Sequence, residues 1–420
     1  MNVYIRDMSR EMARRGIQVD IFTRRQSSDD PQIQLDQVEG VRVIHVDAGP
    51  SHPIPVNDVP LYLNEFADNV INFGEAHALH YDLIHAHYWL SGIVAEQLRI
   101  VWNVPFAQMF HTLGQLKNQI ARNERERSPQ QRLDGELQVV QSANVLVAAT
   151  PAEKDQLIEL YHADSTKIVV IPPGVDLSRF QPINHNLARD FLSLPRQLRQ
   201  ILFTGRIEAL KGIDVLLHAV ALIRRQQPEL LNDVQVTIIG GDPTATRRDP
   251  EMARLQDLRC ELGLCEIVRF IGAKEQSSLP FYYASADIVV MPSHYESFGL
   301  VALEAMAMGT PVIASDVGGL THLVRSGQTG YLVPRNEPEA LADRIAELLS
   351  HEELRQQLGR QAAVHARNYE WSRIGERIID EVYVAMLSDK LVCDSFLRLI
   401  CQFDDELAVC REAGCKWAMR

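Results

Sequence analysis

The chain has 420 residues, of which 46% are hydrophobic and 23% charged, and its formal net charge is −13 at pH 7. This length suits two domains better than one, and the acidic balance argues against nonspecific nucleic-acid binding. The first residues, MNVYIRDMSREMARR, contain no apolar leader, and no uninterrupted apolar run is long enough to cross a bilayer. We therefore expect a cytoplasmic protein without a transmembrane segment.

The cysteines and histidines do not have the spacing of a metal site. The six cysteines are scattered and none forms a CxxC pair, which indicates reduced thiols. His85 and His87 are two positions apart, but no third ligand accompanies them. The sequence therefore predicts no bound metal.

Strand-like and helical segments alternate through the first part of the chain. Residues 3–15 have the pattern of an amphipathic helix that ends at Gly16. Runs rich in β-formers follow at 19–23, 41–46, 82–87, 105–110, 144–150 and 167–174. This order is typical of βαβ units that build a mainly parallel sheet.

A second set of alternating segments follows a turn-rich link, PPGVDLSRFQPI, at 172–183. Its strand-like runs lie at 200–205, 234–241, 268–273, 286–292, 311–315 and 330–334, and a last helical stretch at 371–387. We therefore predict an α/β fold with two tandem Rossmann-like domains. Because ligands bind beyond the carboxyl ends of parallel strands, the cleft between the domains is the expected site.

The segment FTGRIEALKG (203–212) places two cations just after a predicted strand. Arg206 can bind phosphate oxygens in a bidentate manner, and Lys211 supplies a mobile point charge. The segment is a candidate diphosphate site, and a solvated basic loop is the alternative.

The segment PSHYESFGLVALEAM (292–306) carries two carboxylates among apolar neighbours. Glu296 follows a predicted strand, and Glu304 lies about two helical turns further on. Since an unpartnered buried carboxylate is costly, we expect the hydroxyls of a ligand to be their partners. Ser297 is a candidate N-cap of a helix whose first N–H groups would face an anion. The alternative is a helix-start Glu and a core Glu paired with a basic residue.

Two polar segments of the first domain, HAHYWLSG (85–92) and FHTLGQLKN (110–118), follow predicted strands. His111 and Thr112 come where a strand ends, so a sugar could contact them. A structural role is the alternative for His111.

These motifs together resemble a known family. The spacing Glu-x7-Glu in HYESFGLVALEAMAMGTPVIAS, the GR-x4-KG pattern in GRIEALKG, IPPGVD at the link and HTLG in the first domain are similar to those of retaining GT-B glycosyltransferases. Within them, the chain most resembles the branch that holds the mycothiol-pathway inositol-phosphate N-acetylglucosaminyltransferase and sucrose-phosphate synthase. The resemblance extends over residues 1–388.

The resemblance implies four segments. Residues 1–176 would form the acceptor-side domain and 177–366 the nucleotide-sugar domain. Residues 367–388 would be a helix that returns to the first domain, and 389–420 a tail without a counterpart.

The resemblance also implies a donor site. Arg206 and Lys211 would hold the diphosphate, Glu296 the transferred sugar and Glu304 the ribose. His111 would touch the sugar. The catalytic residues would be His111, Arg206, Lys211 and Glu296. The remaining donor contacts would come from Gly272, Lys274, Ser297, Phe298, Gly299 and Leu300.

On the acceptor side, the resemblance implies contacts from Asn2, Tyr88, Thr112 and Arg132. The reaction would retain the anomeric configuration and require neither a metal nor another cofactor, since the cations and the helix start can stabilise the leaving phosphate. The partners would be small-molecule donor and acceptor, with no nucleic acid, and a homodimer is left open.

Two features depart from the family pattern. Relatives place a β-strand and a Gly-rich loop before the segment that matches Met1–Tyr4, so we expect the first strand of the N-terminal domain to be missing. A misassigned start or a truncated copy is the favoured explanation, and a genuinely shortened protein is the alternative. In addition, Val56 stands where the mycothiol enzyme has a lysine for the acceptor phosphate.

We therefore predict a retaining glycosyltransferase that moves a hexose or N-acetylhexosamine from a nucleotide-diphosphate sugar, UDP-linked, to a small hydroxyl acceptor with or without a phosphate. A sucrose-phosphate-synthase-like glucosyltransferase and a non-catalytic nucleotide-sugar binding protein are the alternatives. A dehydrogenase is disfavoured because no G-x-G-x-x-G with a following acidic residue occurs after a strand.

Overall fold

The computed structural model describes residues 1–121, 123–242 and 249–388 of the chain. Its strands are β1 (Val19–Arg24), β2 (Ile33–Leu35), β3 (Val41–Val46), β4 (Ile84–His87), β5 (Phe106–Met109), β6 (Val145–Ala148), β7 (Ile168–Val170), β8 (Arg199–Thr204), β9 (Val234–Ile239), β10 (Val268–Phe270), β11 (Ile288–Met291), β12 (Val312–Ser315) and β13 (Gly330–Val333). Its α-helices are α1 (Asn2–Arg14), α2 (Leu63–Ala76), α3 (Trp89–Trp102), α4 (Gly114–Ile120), α5 (Gln130–Ser142), α6 (Pro151–Tyr161), α7 (His185–Phe191), α8 (Ile213–Gln226), α9 (Pro250–Glu261), α10 (Leu279–Ser285), α11 (Leu300–Ala307), α12 (Leu320–Leu323), α13 (Pro338–Ser350), α14 (Glu352–Ala366) and α15 (Trp371–Ile378).

The second domain is built on one parallel sheet with the strand order β10-β9-β8-β11-β12-β13. Its central strands are rich in aliphatic residues, and all residues of β9, β11 and β12 are buried. Strands of this composition are typical of a parallel sheet covered by helices on both faces. The predicted α/β fold with two Rossmann-like domains is confirmed.

The strands of the first domain form two separate sheets. One is fully parallel with the order β4-β5-β6-β7, and the other has the order β1-β3-β2. Strand β1 pairs in parallel with β3, whereas β2 pairs with β3 in the antiparallel direction. Neither β1 nor β4 pairs with a second strand among the described residues. The missing first strand stays a prediction.

Helix α15 packs against α1 of the first domain. Trp371, at the start of α15, lies edge-on to Tyr4 with ring centroids 5.2 Å apart. A Cβ added to Gly174 would lie 2.5 Å from the Trp371 ring. The backbone of the interdomain link therefore packs directly against this indole. The four predicted segment boundaries stay predictions, and the tail 389–420 lies outside the described residues.

Two of the cysteines lie close together. The Cα atoms of Cys260, in the last turn of α9, and Cys265 are 5.3 Å apart. The expectation of reduced cysteines stays a prediction.

Candidate active site

Two loops of the second domain meet at the predicted diphosphate segment. Gly212 has φ +63°, and a Cβ at this position would lie 2.0 Å from the carbonyl oxygen of Pro292. The backbone N–H of His294 donates to the carbonyl of Leu210 at 2.8 Å. Only glycine fits such a close approach, so the sequence at 205–212 holds the loop after β8 against the loop after β11.

This contact brings Lys211 and Glu296 together. Lys211 Nζ lies 2.6 Å from Glu296 Oε2, and the two side chains are 18% and 16% exposed. Glu296 therefore has a partner within the protein, which corrects the expectation that a ligand must supply one.

Arg206 lies at the edge of the cleft. Its side chain is 75% exposed and pairs with Glu208 at 2.7 Å. The pKa of the Met1 amino group is lowered by burial and, second, by the positive charge of Arg206. The guanidinium is thus within electrostatic range of the start of α1.

The helix that follows Glu296 begins later than its sequence indicates. Helix α11 starts at Leu300, and its N-cap is Gly299 with φ +102°. The Ser297 hydroxyl donates instead to the carbonyl oxygen of His111 in the other domain at 2.5 Å. The prediction of Ser297 as N-cap is wrong, because this contact across the cleft takes its hydroxyl. Within the described residues, the N–H groups of Phe298, Gly299 and Leu300 donate to no protein acceptor.

Glu304 is a partly buried carboxylate, and among the described residues one side chain donates a hydrogen bond to it. The hydroxyl of Tyr283 donates to Glu304 Oε2 at 2.8 Å. Burial raises the pKa of Glu304 to about 7, and the Tyr283 hydrogen bond opposes that shift. The carboxylate lines a pocket between the domains together with Asp7, Leu300 and Trp371. As with Glu296, its partner is internal and not a ligand, and here the partner is a tyrosine.

Gly272 and Lys274, two of the predicted donor contacts, lie in the loop after β10. Gly240 N donates to the carbonyl of Gly272 at 3.1 Å, and Ala273 N donates to Gly241 O at 2.7 Å. Lys274 is exposed. The structure shows no direct contact from Gly272 or Lys274 to the other predicted donor residues that it describes.

His111 faces the cleft from the first domain. Its Nε2 lies 3.1 Å from His87 Nδ1, and its ring centroid is 5.2 Å from that of Tyr4. Burial lowers the pKa of His111 to about 3, so the imidazole is neutral at physiological pH. It can serve a sugar as a hydrogen-bonding group but not as a cation.

Three of the predicted acceptor residues form one cluster. The Arg132 guanidinium carbon lies 5.2 Å from the centroid of the Tyr88 ring, and its Nη2 donates to Thr112 O at 2.9 Å and Thr112 Oγ1 at 3.1 Å. Glu136 accepts from Arg132 Nε at 2.7 Å and orients the guanidinium. Asn2 is exposed at the start of α1 and makes no described side-chain contact with this cluster.

Two positions of this half of the cleft have an unusual backbone. Tyr88 has φ +75° and His111 has φ +63°, a region that non-glycine residues rarely adopt. Such strain costs on the order of 1–3 kcal/mol for each residue. Ala78, Asn103, His162, Ser193 and Asn336 also have a positive φ, so this conformation alone assigns neither residue a role.

Known proteins resemble the chain over most of its length. Residues 1–179 match the family described as Glycosyltransferase Family 4, and residues 186–365 match Glycosyl transferases group 1. The D-inositol 3-phosphate glycosyltransferase of Actinosynnema mirum is 41% identical over 380 residues, which cover 90% of each chain. The corresponding protein of Saccharomonospora viridis is also 41% identical, over 92% of this chain and 89% of that protein.

A solved structure is similar to most of the chain. Sucrose-phosphate synthase from Thermosynechococcus elongatus has a TM-score of 0.83 and 32% identity, with 92% of this chain and 94% of that chain covered. This chain belongs to the GT-B glycosyltransferases. The family resemblance that the motifs indicated is confirmed, and the protein is an enzyme of the glycosyltransferase class.

Sequence reasoning missed several residues of this glycosyltransferase's cleft. Tyr283 is the partner of Glu304, Tyr4 packs on His111, and Asp7 lines the Glu304 pocket. None of them belongs to a quoted motif, and Tyr283 is 21 positions from the residue that it contacts. The predicted helix at 3–15 was the one signal that could have placed Tyr4 and Asp7 on a common face.

Two features are absent from the described residues. No helix among them is long and apolar enough to cross a membrane. No group of three His, Cys, Asp or Glu side chains in the same ranges could hold a metal ion.

Proposed function

We propose that the glycosyltransferase moves a hexose or N-acetylhexosamine from a UDP-linked sugar to a small hydroxyl acceptor that carries a phosphate, with retention of anomeric configuration. The observation that carries the proposal is the 41% identity to D-inositol 3-phosphate glycosyltransferases over 90% of both chains, together with a cleft whose two walls present the motif residues.

The second domain supports the donor half of this proposal. Lys211 and Arg206 supply positive charge for the diphosphate, and the free N–H groups at the start of α11 face the same side of the cleft. Glu296 binds hydroxyls of the transferred sugar, since the Lys211 ion pair holds its carboxylate at the end of β11. We assign the ribose hydroxyls to the Glu304 carboxylate, which lines a small cavity between the domains.

The first domain supports the acceptor half. Arg132 is held over Tyr88 by Glu136 and is the cation that would bind a phosphate. Val56 is 57% exposed and offers no charge, so we assign the acceptor phosphate to Arg132. His111 is neutral and touches the transferred sugar between the two halves.

The reaction is a substitution at the anomeric carbon. The bond from this carbon to the diphosphate oxygen breaks, and a bond to the acceptor hydroxyl oxygen forms on the same face. The acceptor proton passes to the departing phosphate, and the nucleoside diphosphate leaves. Arg206 and Lys211 stabilise the charge that develops on the leaving group, so the mechanism needs no metal or other cofactor.

A second candidate is a sucrose-phosphate-synthase-like transfer of glucose. The observation in its favour is the TM-score of 0.83 to the enzyme from Thermosynechococcus elongatus. Both candidates use a nucleotide sugar and a phosphorylated acceptor, and they differ in the sugar and in the acceptor ring.

Mass spectrometry of reaction products tests the proposal. The purified chain is incubated with UDP-N-acetylglucosamine or UDP-glucose, and with inositol phosphate or fructose 6-phosphate. A phosphorylated disaccharide-type product from one pair identifies donor and acceptor together, and the Lys211→Ala variant is the negative control. UDP binding without any product in all pairs would instead favour a non-catalytic nucleotide-sugar binding protein.

A further inference from the structure

Tyr283 is a fully buried tyrosine whose hydroxyl points at a predicted ligand-binding carboxylate. It lies on α10, is 0% exposed and donates to Glu304 Oε2 on α11. Its own carbonyl accepts a hydrogen bond from Thr310 Oγ1 at 2.7 Å, and its ring packs near Phe180 with centroids 6.1 Å apart. Backbone and ring are therefore both fixed, and the hydroxyl has a defined position.

The bond with Tyr283 leaves part of the carboxylate available. In the described ranges, Tyr283 is the one residue that donates a hydrogen bond to the Glu304 side chain. Glu304 also lines the interdomain pocket beside Tyr4, Asp7 and Asp176. Since each carboxylate oxygen has two lone pairs, Oε1 and one lone pair of Oε2 remain for a ligand.

The charged and titratable groups around Glu304 come from three segments besides its own helix. Asp7 and Tyr4 face it from α1, Asp176 and Arg179 from the link, and Tyr283 from α10. Burial is the largest influence and raises the pKa of Glu304, Asp7 raises it further, and Tyr283 and Arg179 lower it. Tyr283 is the one group of this set that hydrogen-bonds the carboxylate directly.

We infer that Tyr283 is a positioning residue that orients the ionised carboxylate of Glu304 toward the ribose hydroxyls of the donor nucleotide. Its hydroxyl fixes one oxygen on the side away from the pocket and stabilises the charged form that accepts two hydroxyl donors. Without it, the carboxylate would rotate and take up a proton more readily. This inference rests on the donor site of the proposed function.

Calorimetric titration of the full chain with UDP between pH 6 and pH 8.5 tests the inference. In the unmodified protein, UDP affinity should fall as the pH falls through about 7, where Glu304 becomes protonated. In Tyr283→Phe we expect the midpoint to move up by about one pH unit, because one neutral hydrogen bond to the ionised form is lost. The neighbouring Tyr282→Phe is the matched control, since Tyr282 lies on the same helix without contacting Glu304, and it should leave the curve unchanged.

A second variant keeps the test decisive if Tyr283→Phe does not fold. Site-specific 3-fluorotyrosine at position 283 preserves ring and hydroxyl but donates more strongly, so the midpoint should move down. Superimposable curves for the unmodified protein and the position-283 variants would overturn the inference. Glu304→Gln distinguishes a failure of the Tyr283 role from a failure of the ribose site. If this variant loses UDP affinity while the position-283 variants bind UDP like the unmodified protein, only the role of Tyr283 fails. If it binds UDP as tightly as the unmodified protein, the ribose site fails with it.

Discussion

The surroundings of Glu304 favour its neutral form. The free energy of unfolding should therefore depend on pH. The pKa of Glu304 is about 7 in the folded protein, above the value of 4.5 expected for an exposed glutamate. Because the folded state binds the proton more tightly, the free energy of unfolding should fall as pH rises from about 4.5 to 7. For this one group the cost at pH 8 is up to about 3 kcal/mol.

Glu304→Gln should therefore stabilise the ligand-free protein at pH 8 and change it little at pH 5. Chemical unfolding at both pH values measures the difference, and Glu39→Gln on an exposed loop is the control. A variant that is equally stable or less stable than the unmodified protein at pH 8 would contradict the assigned burial cost.

The two cations after β8 should act on turnover. Replacing Lys211 or Arg206 by alanine removes positive charge where the leaving diphosphate develops its negative charge. We expect turnover to fall by about two orders of magnitude or more for each variant. Steady-state release of UDP from the donor and acceptor pair checks this. Arg196→Ala is the control, because Arg196 is exposed like Arg206 and also forms an ion pair, with Asp190. Near-normal turnover in both cleft variants would remove them from the mechanism.

At the scale of elements, the contact of the loop after β8 with the loop after β11 depends on one glycine. Gly212→Ala should lower both the melting temperature and turnover, since its Cβ would lie 2.0 Å from a backbone oxygen. Gly327 has a similar φ of +76° with no atom within 4 Å of the added Cβ, so Gly327→Ala carries the backbone strain alone. Comparing the melting temperature and turnover of the two variants separates the steric clash at position 212 from the backbone strain that both variants share. If the two variants behave alike, the loop at Gly212 can move to accommodate the added methyl group.

The free edges of β1 and β4 predict a pattern of hydrogen exchange. Ile84 N donates to Pro105 O and Tyr88 N to Met109 O, so the alternate residues His85 and His87 direct their amides away from β5. The same alternation leaves the amides of Asp20, Phe22 and Arg24 without a strand partner among the described residues. Exchange resolved by residue should be faster at these positions than at Ile21 and Ala86. Equal protection would indicate that a further partner covers both edges.

Local pattern predicted most of the elements because the parallel strands are rich in aliphatic residues and need little context. Strand β2 was missed, since the short segment at 33–35 is a strand only through its antiparallel pairing with β3. The N-cap at Ser297 failed for a related reason: a carbonyl 186 positions away competes for its hydroxyl. The cations and carboxylates of the candidate site could be predicted from motifs. The pairing of Glu304 with Tyr283 and of Glu296 with Lys211 could not, because these residues meet only in the folded chain.

At the scale of the whole molecule, α15 connects the end of the described chain to the first domain. From α15, Arg377 Nη2 donates to Val170 O at 2.7 Å. From the helical segment that follows it, Ile379–Val384, the Tyr383 hydroxyl lies 2.9 Å from His85 Nδ1. Trp371 is 5% exposed and lies at the start of α15, between Tyr4 and the interdomain link. The helix therefore fixes the position of α1, which carries residues of the cleft.

Trp371→Ala should weaken this connection as a whole. Removal of a buried aromatic side chain costs about 3–5 kcal/mol, and here the loss falls on the contact between α15, α1 and the link. We expect a lower melting temperature and earlier proteolytic cleavage near α15, while Trp371→Phe keeps the aromatic contact with Tyr4 and loses less. Val364→Ala on the exposed face of α14 controls for a general effect of truncation in the C-terminal helices. If the alanine variant melts and is cleaved like the control, α15 is only a surface attachment, and the first domain holds α1 without it.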